Sequence, residues 1–253
     1  MQVFSKNLLM NSKREYTLTV TTSPASATVT LTYDGVSHNE TSATVDEGTV
    51  IQYSVYQSTY GTTTGSITMD RNKTLSCTGT YSTSTTDVVW NRPNLSSDGT
   101  VGGSSFACYA DSEYSSYYAY KAFDGNITNA GSWISTNTTY PHYLVFYSPT
   151  PIKISNLQIY NRPSGSYVPK DYTLYGSNTG SSWTFLTSGT NTVSGGGSSW
   201  YIYPSSSSYY KYYKFEATSH ISGSGYYILV CEMLINAVYQ QTSYTYYWDT
   251  SIT

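Results

Sequence analysis

Charge is scarce in this 253-residue sequence: 12 Lys and Arg and 15 Asp and Glu leave 11% of positions charged and a net charge of -3. An ordinary globular domain carries roughly 25%. So few cations, nowhere clustered, argue against a nucleic-acid partner, because phosphate backbones are held by grouped Lys and Arg. Long apolar runs are missing as well. No window approaches the roughly 18 residues of a membrane-spanning helix, so no membrane insertion is expected. Near the N-terminus only Leu8, Leu9 and Met10 run together, shorter than the roughly 7 to 15 residues of a secretory signal core, so export by that route is not expected either. The three cysteines, Cys77, Cys108 and Cys231, are too few for a disulfide framework and lack C-x-x-C spacing. Only His38, His142 and His220 are present. With no H-E-x-x-H, G-x-S-x-G or phosphate-cradling glycine motif, the expectation is a protein that is not an enzyme.

What the sequence has is tyrosine, 30 residues of it, with 19 glycines and long Ser/Thr tracts. Tyr, Thr and Val suit pleated sheets, and runs of strong helix formers are nearly absent, so the fold class is all-β. From Tyr16 onward apolar residues alternate, as in Tyr16, Leu18, Val20 and again Val29, Leu31, Tyr33, which reads as half-buried strands. Ser23-Pro24, Asp34-Gly35 and Glu47-Gly48 punctuate them as turns. Leu75, Cys77 and Tyr81 continue the pattern and place Cys77 on an inward face. The stretches TVTTSPASATVTLTYDGV and SATVDEGTVIQYSV resemble small PEGA-like and immunoglobulin-like β-sandwiches.

The low-complexity STSTT at 82–86 has no apolar period and reads as a linker. Strand-like runs resume at 142–147, 152–160, 171–177, 183–187, 212–217 and 226–235. Within the second of these, Ile152 and Ile154 share one parity while Leu157 and Ile159 share the other, which predicts a bulge at Ser155-Asn156. The resulting division is an N-terminal arm (1–15), an Ig-like or PEGA-like sandwich (16–82), a linker (83–93), a larger sandwich (94–240) and an aromatic tail (241–253) holding Tyr244, Tyr246, Tyr247 and Trp248. The arm, through Val3, Phe4, Leu8, Leu9 and Met10, reads either as a partner contact or as a disordered tail, and the aromatic segment either as an interface or as packing back on its own domain.

The segments DSEYSSYYAYKAFDGN, SWIS, HYLVFY, ISNLQIYNR, PKDYTLYGSNTGSSWTFL, YYKYYKFE and CEMLI, in this order between Asp111 and Ile235, resemble a discoidin, or coagulation factor 5/8 type C, domain. The resemblance implies a β-sandwich jelly roll with a ligand site among loops at one end. It also implies a structural Ca²⁺ at the loop after Phe123, with Asp124, Asn126 and Glu232 as ligands beside the backbone oxygens of Lys121, Thr128 and Asn129. Oxygen-rich turns suit that hard cation. Tyr120, Trp133 and Trp183 fall at positions the family uses structurally.

Carbohydrate-binding members of the family imply glycans as partners, and sugar recognition joins aromatic faces to a few polar groups. The candidates are Tyr114, Tyr117 and Tyr118, His142, Arg162, Tyr167, Tyr226 and Tyr227. Two modules usually found outside cells, on a chain without an evident export signal, suggest release by lysis. The expectation is a tailed-bacteriophage virion-surface protein, in a tail fibre, a baseplate or a head decoration, multimeric and bound to other virion proteins. The alternatives are a purely structural decoration or fibre subunit, and a bacterial surface adhesin or glycosidase accessory module.

Overall fold

A computed structural model describes residues 13–253, and the N-terminal arm through Met10 lies outside the described residues. The chain divides into two compact units. One runs to Ser84 and takes in Thr242–Thr253, and the other is Thr85–Gln241.

The first unit begins with strands β1 (Glu15–Ser23), β2 (Thr28–Tyr33), β3 (Val36–His38), β4 (Ser42–Asp46), β5 (Val50–Gln57), β6 (Gly61–Thr68) and β7 (Lys73–Trp90). One sheet has β1 between antiparallel β4 and parallel β7. The other has the order β3-β2-β5-β6. Alternate residues of both turn inward: Leu18, Val20, Leu31, Val45, Ile51, Val55, Ile67, Leu75 and Cys77 form one buried cluster. That is the period-2 pattern of the sequence converted into a core. Asp34 at φ 52° and Gly35 at φ 77° make the β2–β3 turn, where Gly carries a positive φ without a Cβ clash.

The second unit contains β8 (Ala107–Ala110), a 3₁₀ turn (Ala119–Ala122), β9 (Trp133–Ile134), β10 (His142–Tyr160), β11 (Asp171–Ser177), β12 (Thr184–Thr190), β13 (Ser199–Ile202), β14 (Tyr210–Ala217), β15 (Leu229–Val230) and β16 (Glu232–Ile252). It is a β-sandwich, and β10 belongs to both of its layers. Residues 142–147 lie between β8 and β14, whereas residues 157–160 lie between β13 and β16. The break falls at Ser148-Pro149-Thr150-Pro151, where register with β14 jumps from Tyr147 to Ile152. Two prolines cannot donate to a ladder, so the strand turns a corner there and changes sheet. The expected bulge is present, with a register shift between Ile154 and Asn156. Phe123, Trp133, Leu144, Phe146, Leu157, Ile159, Phe215 and Met233 fill the space between the layers.

Two local expectations change. The Ser/Thr stretch placed in a linker continues β7 as strand to Trp90. Ser and Thr have no apolar alternation to reveal a strand, yet their β-propensity supports one once a partner is available. The aromatic tail is likewise strand, the end of β16. Trp248 packs on the first unit's core, its indole N–H donates to the Gly61 carbonyl at 3.1 Å, and Thr253 exchanges backbone hydrogen bonds with Thr74.

Candidate functional site

Tyr114, Tyr117, Ile134, Arg162, Tyr167 and Tyr227 line one concavity of about 270 Å³ at the end of the second unit. Five of these six were singled out from sequence. They arrive on different segments: the loop after β8, the loop joining β10 to β11, and the segment just before β15.

The floor is fixed by backbone hydrogen bonds. Tyr114 N–H donates to the Ile134 carbonyl at 2.8 Å, and Tyr117 N–H closes a turn onto the Tyr114 carbonyl at 3.1 Å, with Ser115 at φ 55°. Tyr167 sits at φ 59°, a left-handed conformation disfavoured for an aromatic residue. Its N–H donates to Ser222 O and its carbonyl accepts from Leu229 N–H, so the loop holds it there. Strain of this kind, of order 1–3 kcal/mol, tends to concentrate at binding sites.

The tyrosines form a continuous aromatic wall. Tyr227 meets Tyr114 edge to face at 5.6 Å and Tyr167 at 5.2 Å between ring centres. Tyr167 in turn lies 5.5 Å from His220, and His220 hydrogen-bonds the Tyr140 hydroxyl. Tyr226 joins this wall only at its far end, 5.4 Å from Tyr140. Arg162 supplies the positive charge, with its Cζ 5.3 Å from the Tyr117 ring centre. Its Nη2 donates to the Tyr117 hydroxyl at 3.3 Å and its Nε to Asn129 Oδ1 at 3.1 Å. A guanidinium stacked and bonded in this way is pre-aimed.

The other two candidates do not join them. His142 is fully buried. Its Nδ1 faces Asp111 Oδ2 at 2.7 Å and its Nε2 the Thr138 carbonyl at 3.2 Å, so both ring nitrogens are engaged inside the fold. Tyr118 is exposed, stacked on Tyr120 at 6.0 Å, and lines no part of the concavity. Sequence reasoning missed His220, Tyr140 and Ile134, whose roles come from neighbours dozens of residues away. Trp133 is core, as expected, with its indole N–H on the Ser112 carbonyl at 3.0 Å.

The carboxylates are also engaged elsewhere. Glu113 accepts the Ala119 N–H at 2.7 Å, Asp111 the Tyr143 N–H at 2.7 Å, and Asp124 the Asn126 N–H at 2.8 Å. None of the three lines the concavity.

In the loop after Phe123 the side chains of the calcium set implied by the resemblance are engaged within the fold. Glu232 is fully buried, and its Oε1 accepts from Arg92 Nη2 at 2.5 Å and its Oε2 from the Gly125 N–H at 2.9 Å. Arg92 also donates to the Phe123 carbonyl, to Pro93 O at 3.3 Å and to Asn94 Oδ1 at 3.5 Å. Asn126 Oδ1 accepts the Thr128 N–H at 3.0 Å, and the Cys231 thiol points at the Thr128 carbonyl at 3.3 Å. Among the described residues no group of three His, Cys, Asp or Glu side chains could hold a metal ion. Burial pushes the Glu232 carboxyl up to about 7, against the pull of Arg92 and the Gly125 amide. Burial likewise raises Asp124 and lowers Arg92.

All three cysteines are buried free thiols, and desolvation raises each above its ordinary range.

A family model, the F5/8 type C domain, matches residues 105–233. Solved structures similar to the chain include CpGH89CBM32-5 from Clostridium perfringens in complex with GalNAc-beta-1,3-galactose, at 18% identity over 52% of this chain and 94% of that one, TM-score 0.45. Another is the family 32 CBM of C. perfringens NanJ in complex with galactose, at 23% identity over 53% and 93%, TM-score 0.44. A third is chitosan-binding module 1 of a chitosanase/glucanase from Paenibacillus sp. IK-5, at 21% identity over 58% and 98%, TM-score 0.41. No curated protein sequence matches the chain.

Proposed function

The chain belongs to the F5/8 type C domain family through residues 105–233, and from that premise we propose that its second unit is a carbohydrate-binding module. The observation that carries this reading is the convergence of Tyr114, Tyr117, Tyr167, Tyr227 and Arg162 on one concavity. A pyranose has an apolar C–H face that packs on an aromatic ring, and adjacent hydroxyls that need oriented donors. The tyrosine wall serves the first and the Arg162 guanidinium the second. At about 270 Å³ the concavity suits one or two terminal sugar units better than an extended chain. The galactose-type and chitosan ligands of the similar structures make those sugars the first to try.

The role we propose for the concavity is binding: Asp111, Glu113 and Asp124 each accept a backbone amide and none of the three lines it. The finer setting we propose is the surface of a tailed-phage virion. The PEGA-like or Ig-like first unit would attach to other virion proteins there, and many copies would raise weak single-site binding by about 10² to 10⁴. Support for this setting is the pairing on one chain of two modules of kinds usually found outside cells.

A glycan array probed with the full chain and with Arg162→Met tests the binding role. Selective binding to terminal sugars that fails in the variant is expected. Absence of any glycan signal from the wild type would count against it, in favour of a purely structural subunit.

A further inference from the structure

The loop after Phe123 is held by a cation that the chain itself supplies. Arg92 lies just after β7, 140 residues from Glu232 in sequence. Its side chain is only 5% exposed and that of Glu232 1%. Its acceptors are all oxygen: the Glu232 carboxylate, the Phe123 and Pro93 carbonyls and the Asn94 amide oxygen. This is a carboxylate-and-carbonyl set of the kind a hard divalent ion takes, presented here to a planar guanidinium. The Arg92 Cζ also lies over the Phe123 ring, 5.8 Å from its centre, within cation–π range.

The rest of the loop is organised around that cation. The second Glu232 oxygen accepts the Gly125 N–H, and Gly125 adopts φ 80° with the Asn94 side chain where a Cβ would stand. Asp124 Oδ1 and Asn126 Oδ1 each accept a backbone amide from two residues ahead. A divalent ion drawn to Glu232 would meet the fixed positive charge of Arg92 at close range and would have to displace it from a buried carboxylate. Breaking such a pair leaves an uncompensated charge in the interior.

We infer that Arg92 is the resident cation of the Asp124–Asn126 loop, so that the order of this rim does not depend on calcium. The inference stands apart from the glycan reading, because its readout is thermal stability without any sugar.

The test uses the full chain, melted after exhaustive EDTA treatment and again in millimolar calcium chloride, beside Arg92→Met and Arg92→Lys. The wild type is expected to melt at one temperature in both solutions and to carry no calcium by elemental analysis. Arg92→Met is expected to melt roughly 10 °C lower, with Arg92→Lys between, since an ammonium cannot span Glu232 and Phe123 O together. A wild-type melting temperature that rises with calcium or falls with EDTA overturns the inference, as does Arg92→Met melting with the wild type. Should Arg92→Met fail to fold, the wild-type metal comparison still decides.

Discussion

The Arg162 Cζ sits over Tyr117, 5.3 Å from the ring centre, and the guanidinium donates to the hydroxyl of the same residue at 3.3 Å. The pair makes one rigid polar corner in an otherwise aromatic concavity. Arg162→Met keeps the aliphatic reach and removes the donors, so sugar affinity should fall about tenfold, equivalent to ~1.4 kcal/mol. The half-buried position predicts little change in melting temperature. Arg162→Lys should not restore binding, because an ammonium cannot stack and fork as a guanidinium does. Titration calorimetry of the three proteins checks this.

The aromatic wall separates binding tyrosines from bystanders. Tyr227, in contact with both Tyr114 and Tyr167, should be the most sensitive position, with Tyr227→Ala weakening sugar binding roughly tenfold or more. Tyr118→Ala should leave affinity within about twofold, because Tyr118 stacks only on Tyr120 outside the concavity. Equal losses from the two variants would mean that the site lies elsewhere on the rim.

His142 behaves in the opposite way. Buried between Asp111 and the Thr138 carbonyl, it lies outside the concavity and has both ring nitrogens engaged within the fold. His142→Ala should cost roughly 2–3 kcal/mol by leaving a cavity and stranding its partners. The sugar affinity of the folded fraction should be unchanged. Denaturant melts paired with calorimetry distinguish this from a binding role.

The pH dependence follows from Glu232. Its folded-state carboxyl is pushed up by burial to about 7 from an ordinary 4.5. Below 4.5 both states hold the proton and this group contributes no penalty. Above 4.5 the folded state keeps a proton that the unfolded chain releases, so stability falls as pH rises towards 7, and Glu232 becomes the full ion-pair partner of Arg92 only as that proton leaves. Glu232→Gln should flatten that slope. Melting curves from pH 4 to 8 would show it, and a wild-type slope of opposite sign across the window would refute the assignment.

The thiols should be silent. Cys77, Cys108 and Cys231 are buried and pushed towards the protonated form by desolvation, and the thiolate is the reactive species. Iodoacetamide should label none of them in the native chain and all three in denaturant, as counted by intact mass.

Much of this architecture was open to reading because strand burial has period 2. Leu18, Val20, Leu31 and Cys77 point inward as their parity requires, and the parity change after Ile154 located a real bulge. The rim tyrosines and Arg162 were recoverable because family motifs place them on the right loops. What could not be read were contacts between distant segments. Arg92 meets Glu232 across 140 residues, and His142 meets Asp111 across 31. No local pattern shows that a histidine opening a strand will be sealed in, or that an arginine beside a proline will be buried on a distant glutamate. The Ser/Thr stretch after Tyr81 was misjudged for a related reason, since a strand with both faces polar has no alternation to detect.

The most direct test of the account is amide chemical-shift mapping on the isotope-labelled chain, titrated with galactose, N-acetylgalactosamine and chitosan oligosaccharides. Saturable shifts confined to the amides around Tyr114–Tyr117, Arg162–Tyr167 and Tyr227, abolished in Tyr227→Ala, are the predicted result. Saturable shifts centred on any other surface, with those amides unmoved, would contradict it.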